Sequence, residues 1–213
     1  MLLSKSLERI IRVLLTSKNN YTLRELASEA GVNLARASVD INKLASAGYV
    51  EKTRSGLEVR RKEDLLMAFS CCWSFSEVPR IAFESLDRPA LLIRKIAEIG
   101  GKGGLEYAFS SLAGAELMAP MVVPTSVSLY IKEGEKDLWK VALEKSGIYP
   151  AEKNGKIGLL LWDDGVFYGK LRVRGTNVVC APQLFADLYS SSGIYRDAAL
   201  HLKERLMGEK ANV

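Results

Sequence analysis

The sequence predicts an α+β protein in two parts: a small basic unit of three helices closed by a β-hairpin over residues 1–65, and a larger mixed α/β domain over residues 66–213. Helical spacing of apolar residues gives way to strand-like alternation just after Gly48, and helical and strand-like runs alternate from there on. With 213 residues, 48% of them hydrophobic, and a mean hydropathy of +0.03, the chain can fill a real core and is neither a disordered nor a fibrous sequence. Charge is unevenly spread. Of the net +5, residues 1–65 hold 12 basic and 8 acidic side chains, while the other 148 positions hold 18 and 17, so an anionic partner is expected for the first part.

Lys5, Glu8, Arg9 and Arg12 interrupt any leader-like apolar stretch, and no later run approaches the roughly 18–20 apolar residues of a membrane span. A cytoplasmic protein without a membrane partner is therefore expected. Three cysteines, Cys71, Cys72 and Cys180, lack CxxC spacing and are expected to be buried thiols, not a disulfide framework or a zinc site. The single histidine, His201, cannot build a His-rich metal site or supply a Ser-His or Cys-His pair unaided.

From Ser6, apolar Leu7, Ile10, Ile11, Leu14 and Leu15 recur at helical spacing, with Glu8, Arg9 and Arg12 on the other face. The helix ends over residues 17–20. Thr22 and Glu25 have the spacing of a capping box and open a short second helix over about 22–30. Gly31 supplies a sharp turn, Asn33 caps a third helix whose buried stripe is Ala37, Ile41 and Leu44, and Gly48 ends it. Residues 49–53 and 57–60 then alternate around Ser55 and Gly56 as a hairpin bearing Lys52, Arg54, Arg60 and Arg61.

Three helices with a glycine turn before the third, closed by a basic hairpin, describe a winged helix-turn-helix. The run GVNLARASVDINKLASAGYVEK resembles, without gaps, the turn, recognition helix and first wing strand of the winged helix family of transcription regulators, over about residues 6–61. In that fold a helix enters the major groove, about 12 Å wide, while a basic wing straddles the adjacent phosphates. The outward positions of the third helix are Asn33, Leu34, Ala35, Arg36, Ser38, Val39, Asn42 and Lys43. Of these, Asn33, Arg36, Ser38, Asn42 and Lys43 are the candidate base or phosphate contacts, joined by Lys52, Arg54, Arg60 and Arg61 on the hairpin and Arg24 on the second helix. The same helix is expected to expose Leu34, Val39 and the acidic Asp40, and Val39 stands where many DNA-reading relatives carry a polar or basic residue. A winged helix adaptor that binds protein is the alternative.

Residues 62–76 continue as a helix with Leu65, Leu66, Phe69, Cys72 and Trp73, and PRIAFESL (79–86) alternates as a strand. Pro89 opens a helix through Ile99 that the run GGKGG (100–104) is expected to end. That run has the composition of a phosphate loop but lacks the GK[ST] ending and follows a helix. A strand and small-residue helix (107–120), a strand at 125–132, and a helix at 135–145 with Leu138, Val141 and Ala142 inward come next. Residues 156–162 and 166–173 are expected to pair as a hairpin around Asp163, Asp164 and Gly165. A strand at 177–180 leads through Pro182 to helices over about 182–190 and 194–207. Lys170, Arg172 and Arg174 along one strand fit either an extended DNA footprint or a charge-protected sheet edge.

The runs YAFSSLAGAELMAP, TSVSLYI, DDGVFYG (163–169) and VVCAPQLFADLYSSSGIYRDAALHLKERL (178–206) make this half similar to the C-terminal domain of the AbiEi-type antitoxin family and its archaeal winged helix relatives, over about residues 105–207. The resemblance implies a winged helix joined to a nucleotidyltransferase-like domain in a repressor of its own operon. An active nucleotidyltransferase carries a Gly-Ser turn before a helix and two acids alternating on the next strand to hold Mg²⁺. Here residues 110–114 stand at that turn, but the strand reads Thr125, Ser126, Val127, Ser128, with hydroxyls in place of acids. Asp163 and Asp164 fit turn chemistry better than a metal pair. A noncatalytic domain without metal or cofactor is expected, in a homodimeric repressor bound to double-stranded DNA, with a toxin or other protein as a possible partner. A nucleotidyltransferase with an atypical metal site is the enzymatic alternative.

Overall fold

The computed structural model describes residues 3–17, 20–152 and 155–208. Helix α1 (Lys5–Thr16) starts at Ser4, whose hydroxyl accepts from the Leu7 amide. The turn expected over 17–20 is described only at its two ends. Thr22 and Glu25 close both arms of the capping box on α2 (Leu23–Glu29). Gly31 turns the chain at φ +61, and Asn33 caps α3 (Leu34–Ser46) by accepting from the Arg36 amide. Strands β1 (Val50–Thr53) and β2 (Gly56–Val59) pair antiparallel, and a bridge from Tyr21 to Leu57 ties the hairpin back to the start of α2.

Helix α4 (Lys62–Cys72) leads into a seven-stranded mixed sheet. Its elements in chain order are β3 (Arg80–Glu84), α5 (Pro89–Gly103), β4 (Tyr107–Ser110), α6 (Ser111–Met118), β5 (Val127–Ile131), α7 (Lys136–Lys145), β6 (Tyr149–Pro150), β7 (Ile157–Leu161), β8 (Leu171–Val173), β9 (Thr176–Val178), α8 (Ala181–Tyr189) and α9 (Ile194–Gly208). The strand order is β6-β3-β7-β5-β4-β9-β8. Strands β5 and β7, and β4 and β9, run parallel; the other neighbours are antiparallel.

Side-chain alternation along the strands builds two cores. One face of the sheet presents Phe83, Tyr107, Phe109, Val127, Leu129 and Ile157 to α5 and α7. The other presents Ala108, Tyr130, Leu160 and Val178 to a layer that includes α8 and α1. This second core runs across residue 65 without a break, joining Ile10, Ile41, Phe69, Leu184 and Leu202 in one cluster.

Several sequence expectations are corrected by this packing. Glu8 and Arg12 are not on a solvent face: they are 2% and 0% exposed, because α1 packs against α8 as well as α3. No hairpin joins 156–162 to 166–173. Strand β7 lies between β3 and β5, and β8 forms the far edge beside β9. Residues 164–167 make a 3-10 turn begun by Asp163, which accepts from the Gly165 amide and also grips Arg9, so the chain is held against α1 and does not fold back on β7. On α7, Leu138 and Val141 are exposed, whereas Trp139 and Leu143 are buried. One residue is about 100° of helix rotation, and the indole has the larger apolar surface to bury. Cys71 and Cys72 are exposed because α4 turns Leu65, Phe69 and Ser70 inward; only Cys180 is buried.

The GGKGG run is not a loop either. Helix α5 continues through it to Gly103, and Gly104 closes it in the left-handed conformation at φ +61. The glycines differ in their surroundings: a Cβ on Gly100 would lie 2.5 Å from the Tyr107 ring and 3.1 Å from Trp139, whereas one on Gly101 would meet nothing within 4 Å. Alanine is favoured over glycine by up to about 1 kcal/mol in a helix interior, and overpacking costs about 1–3 kcal/mol. Gly101→Ala should therefore stabilise the protein and Gly100→Ala destabilise it, as read by urea unfolding. Equal effects of the two substitutions would contradict the packed helical end.

Candidate nucleic-acid interface

Helix α3 buries Ala37, Ile41 and Leu44 against α1 and α2, which leaves Leu34, Ala35, Val39, Asn42 and Lys43 exposed on the far side. Leu34 and Val39 are 45% and 47% exposed. The hairpin is fastened to this helix. Lys52 Nζ donates to Asn42 Oδ1 at 2.5 Å, so β1 and the middle of α3 share one surface.

Apart from the bonded pair Asn42 and Lys52, the other eight candidate contacts fall into three groups. Arg24 on α2, Arg54 at the hairpin tip and Lys43 on α3 are exposed, and of these only Lys43 has an ion-pair partner among the described residues, at 3.9 Å from Asp40. Arg60 is held by Glu51 and Glu58 at 2.6 and 2.7 Å, and Arg61 by Asp64 at 2.7 Å with its guanidinium 5.5 Å from the Tyr49 ring centroid. Such exposed pairs are screened by water and weak, so a phosphate could displace the carboxylates at small cost. The third group has structural duties. Asn33 spends its carbonyl on the cap, and Ser38 is half-buried. Arg36 donates to Ser6 and Asp40 through Nε and to Ser4 through Nη2, which fastens α3 to the start of α1.

Asp40 is not exposed as the sequence suggested. It is 0% exposed, accepts from Ser6 at 2.7 Å, and faces Arg36 and Lys43. Its position on the α1 side of α3 removes its negative charge from the outward face.

A buried polar network, absent from the sequence expectations, fixes where this face stands on the protein. Arg12 on α1 donates from Nε to Gln183 Oε1 on α8 at 2.6 Å and pairs with Glu8 at 3.4 Å. Gln183 donates in turn to Asp187 Oδ1 at 2.7 Å. Asp187 also accepts from Tyr130 on β5 at 3.1 Å and, in a short bond, from Ser110 at the end of β4. Glu8 accepts from the Trp162 indole at 3.1 Å, and Arg9 grips both oxygens of Asp163 at 2.6 and 2.7 Å. The signal that could have found this network is an i,i+4 Glu8–Arg12 pair set among Ile10, Ile11, Val13 and Leu14.

The same residues bear on catalysis. Ser110 and Ser111 stand at the strand-to-helix turn, Ser111 at φ +54, but the Ser110 hydroxyl is buried and turned to Asp187. Asp163 is committed to Arg9 and to its own turn, which leaves it poorly placed to bind a cation with Asp164. Among the described residues no three His, Cys, Asp or Glu side chains converge as a metal-holding group, and no helix is long and apolar enough to cross a membrane. No protein-family model, curated protein or solved structure matches the chain.

Burial dominates the ionisation of this network. It pushes Asp187 up to about 6 despite the hydrogen bonds from Ser110, Gln183 and Tyr130, and it raises Glu8 although Arg12 is adjacent. An Asp in the unfolded chain ionises near its ordinary value of about 4. The stabilising contribution of protonated Asp187 is therefore complete below about pH 4 and lost as pH rises through about 6, a span of about 3 kcal/mol at most. The stability difference between the wild type and Asp187→Asn should change across that window in urea unfolding series. A difference that stays constant from pH 4 to 7 would contradict the buried carboxyl.

Proposed function

We propose that residues 1–65 form a winged helix-turn-helix that docks on double-stranded DNA, and that the protein acts as a homodimeric transcriptional repressor of the antitoxin-like kind. One observation carries this reading: the solvent face of α3, with Asn42 and Lys43, is contiguous with the basic hairpin through the Lys52–Asn42 bond. A helix and an adjoining basic hairpin on one surface suit a major groove and its flanking phosphates. The concentration of positive charge in residues 1–65 supports it, as does the burial of Asp40, which leaves the outward face of α3 without a carboxylate.

The sheet domain is read as a noncatalytic, nucleotidyltransferase-like platform that supplies dimer contacts or a surface for a protein partner such as a toxin. What supports this is chemical: residues 125–128, leading into and beginning β5, offer the hydroxyls of Thr125, Ser126 and Ser128, which lack the negative charge that a pair of carboxylates brings to a divalent cation. A second reading has its own support, since Leu34 and Val39 are large apolar side chains on the exposed face of α3. On that reading α3 docks a protein.

Binding to a duplex spanning the DNA upstream of the gene, measured by fluorescence anisotropy from 50 to 300 mM salt, separates the two. Each neutralised phosphate contributes a slope of about −0.9 in log K against log salt. Lys43→Gln with Arg54→Gln should flatten the slope by about 2 and weaken binding about tenfold or more. Arg36 is unsuitable for this test because its loss also frees α3 from α1. Affinity unaffected by salt and by the double substitution would overturn DNA docking in favour of the protein-binding helix.

A further inference from the structure

A groove of about 750 Å³ lies where the N-terminal half of α1 meets the C-terminal ends of β5 and β7. Its volume falls within the roughly 300–1,000 Å³ of small-molecule sites. Its place in the fold is also that of a ligand site. Strands β5 and β7 are parallel neighbours that end together at the Ile131–Leu161 pair, and crevices beyond the carboxyl ends of parallel strands are where α/β sheets bind small molecules.

The lining sets the chemistry. Trp162, Leu161 and Pro79 supply an apolar wall. Part of the lining is engaged internally: Arg9 and Asp163 offset each other's charge, and Glu135 keeps its charge but is held by the Glu106 amide at 2.7 Å. Four further charged groups line the groove. Lys5 lies 5.7 Å from the Trp162 ring centroid, Lys132 and Glu133 have no ion-pair partner among the described residues, and Asp164 acts on Arg9 through space without an ion pair. Two ammonium groups and two carboxylates around an indole match a ligand that carries one charge of each sign and an apolar body. A lone anion or lone cation would meet like charges as well as opposite ones.

We propose that this groove binds a small apolar zwitterion, a free α-amino acid with an aliphatic or aromatic side chain. Lys5 and Lys132 receive the carboxylate, Asp164 and Glu133 the ammonium, and Trp162 the side chain. Occupancy does not depend on DNA binding and is testable in its absence.

The full chain is titrated with L-phenylalanine and L-leucine, and with 3-phenylpropionate and phenethylamine, which each keep only one of the two charges. Calorimetry and tryptophan fluorescence report binding. At least one amino acid should saturate the protein, with both one-charge compounds about ten- to a hundredfold weaker, as expected when a charge-assisted hydrogen bond is lost. Lys132→Gln and Glu133→Gln should each weaken binding about tenfold, with the melting temperature of the free protein unchanged because neither side chain has an ion-pair partner among the described residues. No saturable binding of either amino acid up to about 10 mM, equal binding of the one-charge compounds, or full affinity in both variants would each overturn the proposal.

Discussion

Arg12 is a guanidinium with no solvent exposure, placed between a helix of the N-terminal unit and a helix of the sheet domain. Removing such a charge from water costs several kcal/mol, and the cost is met only where the partners are well placed. Gln183 and Glu8 hydrogen-bond it, and the rings of Phe69 and Trp73 stand 5.9 Å away. Among the described residues, Nη1 has no hydrogen-bond partner. Removing a partner would leave the guanidinium buried and uncompensated at a cost of about 3–5 kcal/mol, which favours this arrangement of α1 on α8.

What α1 carries is the exposed face of α3 together with the hairpin. Arg36 ties α3 to Ser4 and Ser6, α3 holds the hairpin through Asn42 and Lys52, and the hairpin is bridged to Tyr21. On the other side, Gln183 passes the constraint to Asp187, which is bonded to both β4 and β5. The exposed face of α3 is thus referenced to the centre of the sheet through a chain of hydrogen bonds. The groove beside Trp162 adjoins the same chain, since Trp162 bonds Glu8 and the Arg9–Asp163 clamp forms part of the groove's lining. Any ligand there would meet the helix on which α3 is mounted.

The features legible in the sequence are those whose causes are local. The Thr22–Glu25 box, the Asn33 cap, the Gly31 turn and the alternation of residues 50–59 depend on neighbours within a few positions, and the structure has each of them. The features that differ from the sequence expectation depend on partners far along the chain. Glu8 and Arg12 look like solvent-facing charges until α8, some 170 residues away, covers them. Residues 163–165 look like a hairpin tip until Arg9 captures Asp163. Periodicity could not choose between Leu138 and Trp139 on α7, because both lie within one residue of the same stripe and the outcome rests on what the sheet presents. For the interface, the outward set on α3 was legible from its buried stripe. The structural duty of Arg36 and the burial of Asp40 were not, because both depend on Ser4 and Ser6.

The N-terminal unit and the sheet domain share one hydrophobic core. Hydrogen exchange followed peptide by peptide across a series of low urea concentrations measures this directly, because each segment reports the free energy of the opening that exposes it. Residues 5–59 and residues 107–189 should converge on one common unfolding free energy and one urea dependence. Exchange of α1, α3 and the hairpin through a separate opening, well below that of β4, β5 and α8, would show two independent domains and contradict the account.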